Sequence, residues 1–164
     1  YLITPSSPLF NLGTEDFTIE GWIYQTGLSN LYPGVVGTSI AFGAGAWAVL
    51  SSHNSTGVRK LQMYVYNYSN TVPLLLGTTT LSDNTWYYFA VTRSGSTFRL
   101  FLNGTVEATT TSSVSLNNVN ASVNVGSQQN TYVFQGYIDD IRITKGYARY
   151  TSNFTAPTAA FPTY

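Results

Sequence analysis

The sequence has no cysteine and one histidine, and charged residues make up 9% of it, against about 25% in typical globular proteins. The lack of cysteine excludes a disulfide scaffold and any thiolate zinc site, and a single histidine cannot form a zinc site built from several imidazoles. Seven acidic residues balance seven basic ones. No basic patch is therefore predicted, and we expect no nucleic-acid partner.

The sequence also lacks long apolar runs. None approaches the roughly 20 residues of a membrane-spanning helix, so we expect no membrane insertion. A length of 164 residues, 43% of them hydrophobic, suits a single domain that builds its core without disulfides. The chain does not begin with methionine and shows no signal-peptide pattern. We expect one domain over residues 1–164, within a longer polypeptide.

What the sequence does contain is a series of short alternating apolar runs separated by Gly, Ser, Thr and Asn, with almost no helical periodicity. This pattern predicts an all-β sandwich or jelly roll. The candidate strands cover residues 1–4, 17–24, 34–40, 46–51, 60–68, 72–78, 86–93, 97–103, 105–110, 122–126 and 134–144.

The clearest signal is the stretch 86–107, WYYFAVTRSGSTFRLFLNGTVE, which predicts three consecutive antiparallel strands. Asn103-Gly104 between two alternating runs is typical of a type I′ turn, in which both central residues need a positive φ. Alternation places Tyr88, Arg99 and Phe101 on the outer face of the sheet. The inward set is aliphatic or aromatic and comprises Phe89, Val91, Leu100 and Leu102.

Three segments together support a family resemblance: FTIEGWIY at 17–24, TWYYFAVTRSGSTFRLFLNGTV at 85–106, and FQGYIDDIRITKGYARYTSNFTAPTAAFP at 134–162. In this order and spacing they resemble the laminin-G-like branch of the concanavalin A-like lectin/glucanase superfamily, especially copies in phage tail-fibre, other virion and bacterial surface proteins. The resemblance implies a two-sheet antiparallel jelly-roll β-sandwich. It also implies a mostly non-catalytic recognition or adhesion module, some members of which bind glycans, proteins or calcium.

The acidic residues argue against the glucanase activity that some relatives carry. A retaining glycosidase holds two carboxyl groups about 5–5.5 Å apart, which residues i and i+2 of one strand face roughly achieve. No two acids here are two positions apart, and Asp139 and Asp140 are adjacent, so we expect them on opposite faces. A Ser-His-Asp triad would need His53, which we place in a loop. We predict that the protein is not an enzyme.

Calcium is the one metal that the sequence allows. It takes six to eight oxygen ligands, several of which can be backbone carbonyls. Asp83 and Asn84 precede the strand at Trp86 and form the candidate site; Asp139 and Asp140 are the alternative. Each pair also has a plain interpretation: Asp83-Asn84 as a turn, and the Asp139/Asp140 carboxylates as partners of Arg142 or of backbone. No cofactor other than calcium is implied.

Tyrosines form the candidate ligand site. Tyr64, Tyr66 and Tyr68 alternate along one strand and share a face, whereas Tyr32, Trp47 and Tyr132 fall in or near predicted loops. Aromatic rings stack on the apolar faces of sugars, and tyrosine adds a hydroxyl. Aromatic residues also favour strands for structural reasons alone.

Two functional hypotheses remain. The first is a module of a virion protein, tail fibre or capsid-associated, or of a cell-surface protein, that binds a glycan or a cell-surface receptor. The second is a structural decoration or spacer domain that contacts copies of itself, a virion protein or another scaffold. Both place the protein outside the cell or on a virion surface. By resemblance to phage fibres, both also imply a homo-oligomer, with a trimer as one such state.

Overall fold

The computed structural model describes residues 1–27, 31–38, 45–53, 57–66, 73–117 and 121–162. Within them it contains a short 3-10 helix (Pro8–Phe10) and thirteen strands, and the predicted strand ends at 39–40, 67–68 and 72 lie outside them. The strands are β1 (Leu2–Ile3), β2 (Phe17–Gln25), β3 (Gly34–Thr38), β4 (Trp47–His53), β5 (Arg59–Val65), β6 (Pro73–Leu76), β7 (Trp86–Ser94), β8 (Thr97–Leu102), β9 (Thr105–Thr111), β10 (Val123–Val125), β11 (Ser127–Gln128), β12 (Tyr132–Val133) and β13 (Gly136–Lys145).

The strands form two main antiparallel sheets. The six-stranded sheet has the order β1-β10-β3-β4-β5-β6, and the five-stranded sheet has the order β13-β2-β7-β8-β9. Strands β11 and β12 form a separate small hairpin. The predicted all-β, two-sheet jelly-roll sandwich is confirmed, and β11 and β12 are the only strands of the described part of the chain that the alternation missed. No helix of the described residues is long and apolar enough to cross a membrane.

The core lies between the two sheets and is built by the inward residues of their strands. Phe89, Val91 and Leu100 are wholly buried there, and Leu102 nearly so, as predicted. They meet the inward residues of β4 and β5, which include Trp47, Val49, Leu61, Met63 and Val65. Burying this apolar surface is the main favourable term in the stability of such a domain.

The Asn103-Gly104 turn has the predicted geometry, because φ is +49° at Asn103 and +81° at Gly104. Gly104 has a second role that the hairpin pattern did not indicate. The Phe154 amide donates a hydrogen bond to the Gly104 carbonyl at 2.9 Å. A Cβ at Gly104 would lie 2.0 Å from the Phe154 carbonyl oxygen, so only glycine lets the C-terminal segment dock on this turn.

The C-terminal segment, residues 147–162, covers much of the outer face of the five-stranded sheet. The Tyr150 and Phe154 rings stack on each other at 3.5 Å between centroids, and both contact the Phe101 ring. Phe154 also contacts Tyr88 edge-on. Tyr88 and Phe101 consequently have no exposed surface. They lie on the outer face of the sheet, as predicted, but the segment packs over them and leaves neither open to a ligand.

Beneath this segment lies a wholly buried carboxylate, Glu20 of β2. Its oxygens accept hydrogen bonds from the Tyr88 hydroxyl and from Arg142 Nε at 2.7 Å, and Arg149 Nε lies 3.4 Å away. Arg142 therefore pairs with Glu20 and not with Asp139 or Asp140. The carboxylates of Asp139 and Asp140 instead accept backbone amides, which was the other expectation. Because Arg149 belongs to the C-terminal segment, the cluster ties that segment to the sheet.

The reason for this change of partner is a β-bulge in β13. The register against β2 shifts between Asp139 and Arg142, and Asp140 has a φ of +51°. An extra residue in one strand re-aims the side chains that follow it. After the bulge, Arg142 lies directly opposite Glu20.

The Glu20 cluster yields a stability prediction. We expect Glu20→Gln to lower the free energy of unfolding by about 3 kcal/mol, because it leaves two arginines facing an uncharged group under the C-terminal segment. Urea denaturation measures the loss. The matched control is Glu15→Gln, whose exposed ion pair with Lys145 at 3.2 Å should contribute less than about 1 kcal/mol. Equal losses in the two variants would contradict the assigned role of Glu20.

Stability should also fall at alkaline pH. Burial raises the pKa of Tyr88 far above its usual value, and the hydrogen bond to Glu20 raises it further. The folded state then holds a proton that the unfolded state releases near pH 10, so this stabilisation is present below pH 10 and is lost progressively above it. Unfolding free energies measured between pH 8 and 12 should fall less steeply for Tyr88→Phe. The exposed-site control Tyr147→Phe should keep the wild-type slope, and a wild-type slope in Tyr88→Phe would contradict the assignment.

Candidate functional site

Four tyrosines meet on the outer face of the six-stranded sheet, and we call Tyr32, Tyr64, Tyr66 and Tyr132 the tyrosine cluster. The Tyr64 and Tyr66 rings lie nearly parallel, with centroids 5.9 Å apart, and the Tyr32 and Tyr132 rings meet edge to face at 6.0 Å. Three segments distant in sequence therefore converge on one surface. Tyr32 is 42% exposed, whereas Tyr66 is 6% exposed.

Apolar side chains of strand β4 and of Ala46 just before it lie beside Tyr64 and Tyr66. Ala48 is directly opposite Tyr64, and the Tyr66 amide donates to the Ala46 carbonyl at 2.7 Å. Together with Leu50, these residues form a second apolar cluster, separate from the inter-sheet core. The alternation along β5 predicted this placement, because the inward positions Met63 and Val65 leave Tyr64 and Tyr66 on the opposite face.

The hairpin of β11 and β12 positions Tyr132. Its three-residue loop includes Gln129 and Asn130, both with positive φ, and Asn124 Nδ2 donates to Asn130 Oδ1 at 2.7 Å. Gln128 Nε2 donates to the Tyr66 hydroxyl across the cluster. Gln128 is the site residue that sequence reasoning missed, because neither glycine nor an Asn-Gly pair marks this loop.

Close backbone approach brings the hairpin over β3. A Cβ at Gly34 would lie 2.2 Å from the Gln128 amide nitrogen, so a side chain at this position would push β11 away. The residues just before Gly34 are also held, since the Ser51 amide donates to the Pro33 carbonyl at 3.1 Å. The residue that follows Tyr32, Pro33, is therefore hydrogen-bonded to β4, and this bond helps to position Tyr32 in the cluster.

The hydroxyls of Tyr64 and Tyr66 are uncharged at neutral pH. Burial, and then the neighbouring phenols Tyr64, Tyr132 and Tyr32, raise the pKa of Tyr66, and burial followed by Tyr32 raises the pKa of Tyr64. Their hydroxyls stay protonated, so each can both donate and accept hydrogen bonds. Flat rings beside neutral hydroxyl groups can stack on the apolar face of a ligand and bond to its polar rim.

One described residue of the predicted ligand site, Trp47, does not belong to the cluster. Trp47 lies between the two sheets with no exposed surface, so its assignment to the site is wrong. Its alternation with Val49 was the signal that it faces inward. Tyr68 lies outside the described residues.

At the predicted calcium site, Asp83 has an ionic partner already. Arg59 Nη1 lies 2.5 Å from Asp83 Oδ1. Asn84 lies in a turn with a φ of +56°. Its amide donates to the carbonyl of Gln25, the last residue of β2, at 2.8 Å. Over the described ranges, no group of three or more His, Asp or Glu side chains could hold a metal ion. Calcium at Asp83 and Asn84 stays a prediction, with one carboxylate oxygen bonded to an arginine.

The acids considered for catalysis are mostly bonded to protein groups. The Glu107 carboxylate accepts hydrogen bonds from the amides and hydroxyls of Thr78 and Thr79 at 2.6–2.7 Å. Burial alone would raise the pKa of Glu107, but these bonds outweigh it and lower the pKa. A general acid needs the opposite shift. His53 is the last residue of β4 rather than a loop residue.

Comparison with known proteins agrees with this architecture. Solved structures with the same fold include domain 4 of a GH43 extracellular arabinanase from Geobacillus stearothermophilus, in complex with arabinotriose; it is 16% identical, with a TM-score of 0.69, over 88% of this chain and 66% of that one. Domains LG4-5 of the mouse laminin alpha1 chain are 14% identical, with a TM-score of 0.64, over 87% of this chain and 38% of that one.

A third similar structure is the enzymatically active domain of tailspike protein 2 from bacteriophage CBA120. It is 13% identical, with a TM-score of 0.64, over 81% of this chain and 22% of that one. This chain thus spans less than two thirds of each of these three structures. Among curated proteins, none matches it. The sequence model of the concanavalin A-like lectin/glucanases superfamily matches residues 1–149, and the chain belongs to that superfamily.

Proposed function

We propose that this protein is a non-catalytic recognition module that binds a glycan through the tyrosine cluster. The observation that carries the proposal is the convergence of Tyr32, Tyr64, Tyr66 and Tyr132 from separate segments onto one outer face. A core needs no such arrangement on its solvent side. Aromatic groups with a few placed polar atoms are typical of ligand sites.

The chemistry of the cluster favours a sugar over an ionic ligand. The Tyr64 and Tyr66 hydroxyls are neutral, and the rings of the cluster offer flat apolar surface. Gln128 holds the Tyr66 hydroxyl in place before any ligand arrives. A site that is already ordered loses less conformational entropy on binding, which favours affinity for a ligand with few strong contacts.

We also propose that the module works outside the cell, on a virion surface as part of a tail fibre or capsid-associated protein, or on a cell surface. Structural similarity to a phage tailspike domain and to laminin domains supports this context. A homo-oligomeric parent protein, a trimer included, stays a prediction from the resemblance. So does a domain that spans residues 1–164 of a longer chain.

The first test is binding to arabinotriose and to an array of bacterial and host surface glycans. For a glycan that binds, we expect Tyr32→Ala and Tyr132→Ala to weaken affinity about tenfold each, because each removes a stacking ring that contributes about 1.4 kcal/mol. Isothermal titration calorimetry measures the change. The control Tyr147→Ala removes a tyrosine that is 60% exposed elsewhere and should bind like the wild type.

Two outcomes would contradict this proposal. One is a folded protein that binds nothing across the array. The other is binding that survives both tyrosine variants. A cluster that is protected from solvent only in an assembled particle would favour the structural, spacer function instead.

A separate experiment tests the proposal that the module does not hydrolyse its ligand. We expect no release of reducing ends when the protein is incubated with a glycan that it binds, because hydrogen bonds lower the pKa of Glu107, which does not suit a general acid, and Glu20 is wholly buried. A reducing-sugar assay over a day at pH 5 to 8 measures this. Hydrolysis that is lost in Asp139→Asn or Asp140→Asn would overturn the assignment.

A further inference from the structure

A second aromatic surface lies on the opposite side of the molecule, on the outer face of the five-stranded sheet. Tyr137, Tyr24 and Trp86 are directly opposite one another across β13, β2 and β7, and we call them the aromatic row. Their ring centroids are 5.8 Å and 5.3 Å apart. The row spans roughly 10 Å, two strand spacings.

The C-terminal segment covers its neighbours on this face but leaves the row open. Tyr88, two residues beyond Trp86 on the same face, is wholly buried under Phe154. Trp86, in contrast, is 44% exposed and Tyr137 is 64% exposed. Adjacent large aromatic side chains left open to solvent typically mark an interaction site.

A groove of about 380 Å³ adjoins the row. Trp22 and Trp86 line it, residues 158–160 of the C-terminal segment form one side, and Asp139 and Asp140 lie at it as well. The Trp22 ring is held by an edge contact with Tyr88 at 5.3 Å. This contact fixes the Trp22 side of the groove, and the size of the groove falls within the range of small-ligand pockets.

The bulge in β13 brings Asp140 to the same groove as Asp139, which lies opposite Trp22 before the register shifts. Adjacent residues of a regular strand point to opposite faces, which was the sequence expectation for Asp139 and Asp140. The positive φ at Asp140 breaks that alternation. Asp140 Oδ2 accepts from the Phe161 amide at 3.0 Å, and Asp139 Oδ1 accepts from the Asp140 amide at 2.9 Å. Each carboxylate therefore has one oxygen that these two hydrogen bonds do not use.

The groove lining, all within the described part of the chain, contains no lysine or arginine. A ligand that fits must offer apolar faces to the rings and hydrogen-bond donors to the carboxylates. Sugar hydroxyls donate to carboxylates in strong charge-assisted bonds, and sugar C–H faces stack on indole and phenol rings. An anionic ligand would instead be repelled by Asp139 and Asp140.

We propose that the aromatic row and its groove form a second carbohydrate-binding site, for a neutral oligosaccharide. Three adjacent rings can take more than one sugar unit, so a chain rather than a monosaccharide is the expected ligand. The two outer faces of a sandwich point in opposite directions. The module would then bind glycans from both sides, and this proposal holds or fails independently of the tyrosine cluster.

The test uses neutral hexasaccharides from arabinan, xylan, cellulose and mannan as probes. Tryptophan fluorescence reports on this site, because Trp22 and Trp86 line it while Trp47 is buried in the core. We expect a probe to shift the emission and to protect it from acrylamide quenching. Tyr137→Ala and Trp86→Ala should each weaken binding at least tenfold, and Asp139→Ala several-fold, by calorimetry.

Matched variants separate this site from the other. Tyr32→Ala should leave binding at the aromatic row unchanged, and Tyr147→Ala should affect neither site. Tyr137 is so exposed that its loss should not impair folding, which keeps the test valid if Trp86→Ala is unstable. Three results would overturn the proposal: no probe alters the fluorescence, Tyr137→Ala binds as tightly as the wild type, or sedimentation shows self-association that Tyr137→Ala abolishes.

Discussion

The register of strand β2 is the constraint on which both sides of the five-stranded sheet depend. Its inward residues, Phe17, Ile19 and Ile23, fill the core, while Glu20, Trp22 and Tyr24 point outward. A shift of one residue would exchange the two sets and bury Glu20 between the sheets. One strand thus supplies the core, the buried carboxylate that holds the C-terminal segment, and the centre of the aromatic row.

The two outer faces of the sandwich are covered by different segments of the chain. On the six-stranded sheet, the β11–β12 hairpin folds over β3 and brings Tyr132 to the tyrosine cluster. On the five-stranded sheet, the C-terminal segment covers Tyr88 and Phe101 and stops short of Trp86. In each case an added segment covers part of a sheet and leaves aromatic rings at its margin. Recognition surfaces on this scaffold therefore depend on the segments added to the sheets more than on the sheets themselves.

Period-2 alternation was enough to predict an all-β sandwich or jelly roll, the inward residues such as Phe89 and Val91, and the shared face of Tyr64 and Tyr66. The two-sheet jelly roll of this superfamily came from the resemblance of three segments. The same alternation indicates that Trp47 faces inward, and it therefore contradicts the assignment of Trp47 to the ligand site. It could not reveal the burial of Tyr88, because Tyr150 and Phe154 lie in a segment without regular structure. The bulge at Asp140 and the loop at Gln129 were hidden for another reason: each depends on a positive φ at a residue that is not glycine.

The β13 bulge affects the tendency of the protein to self-associate through the edge of its five-stranded sheet. β13 is a ten-residue edge strand, and a long flat edge is a template onto which a foreign strand can add and start aggregation. The bulge interrupts the regular series of free amides and carbonyls midway along that edge. A strand that paired with one half of β13 would lose its register at the other. The distortion that places Asp140 beside Asp139 at the groove thus also makes β13 a poor template for edge-to-edge polymerisation.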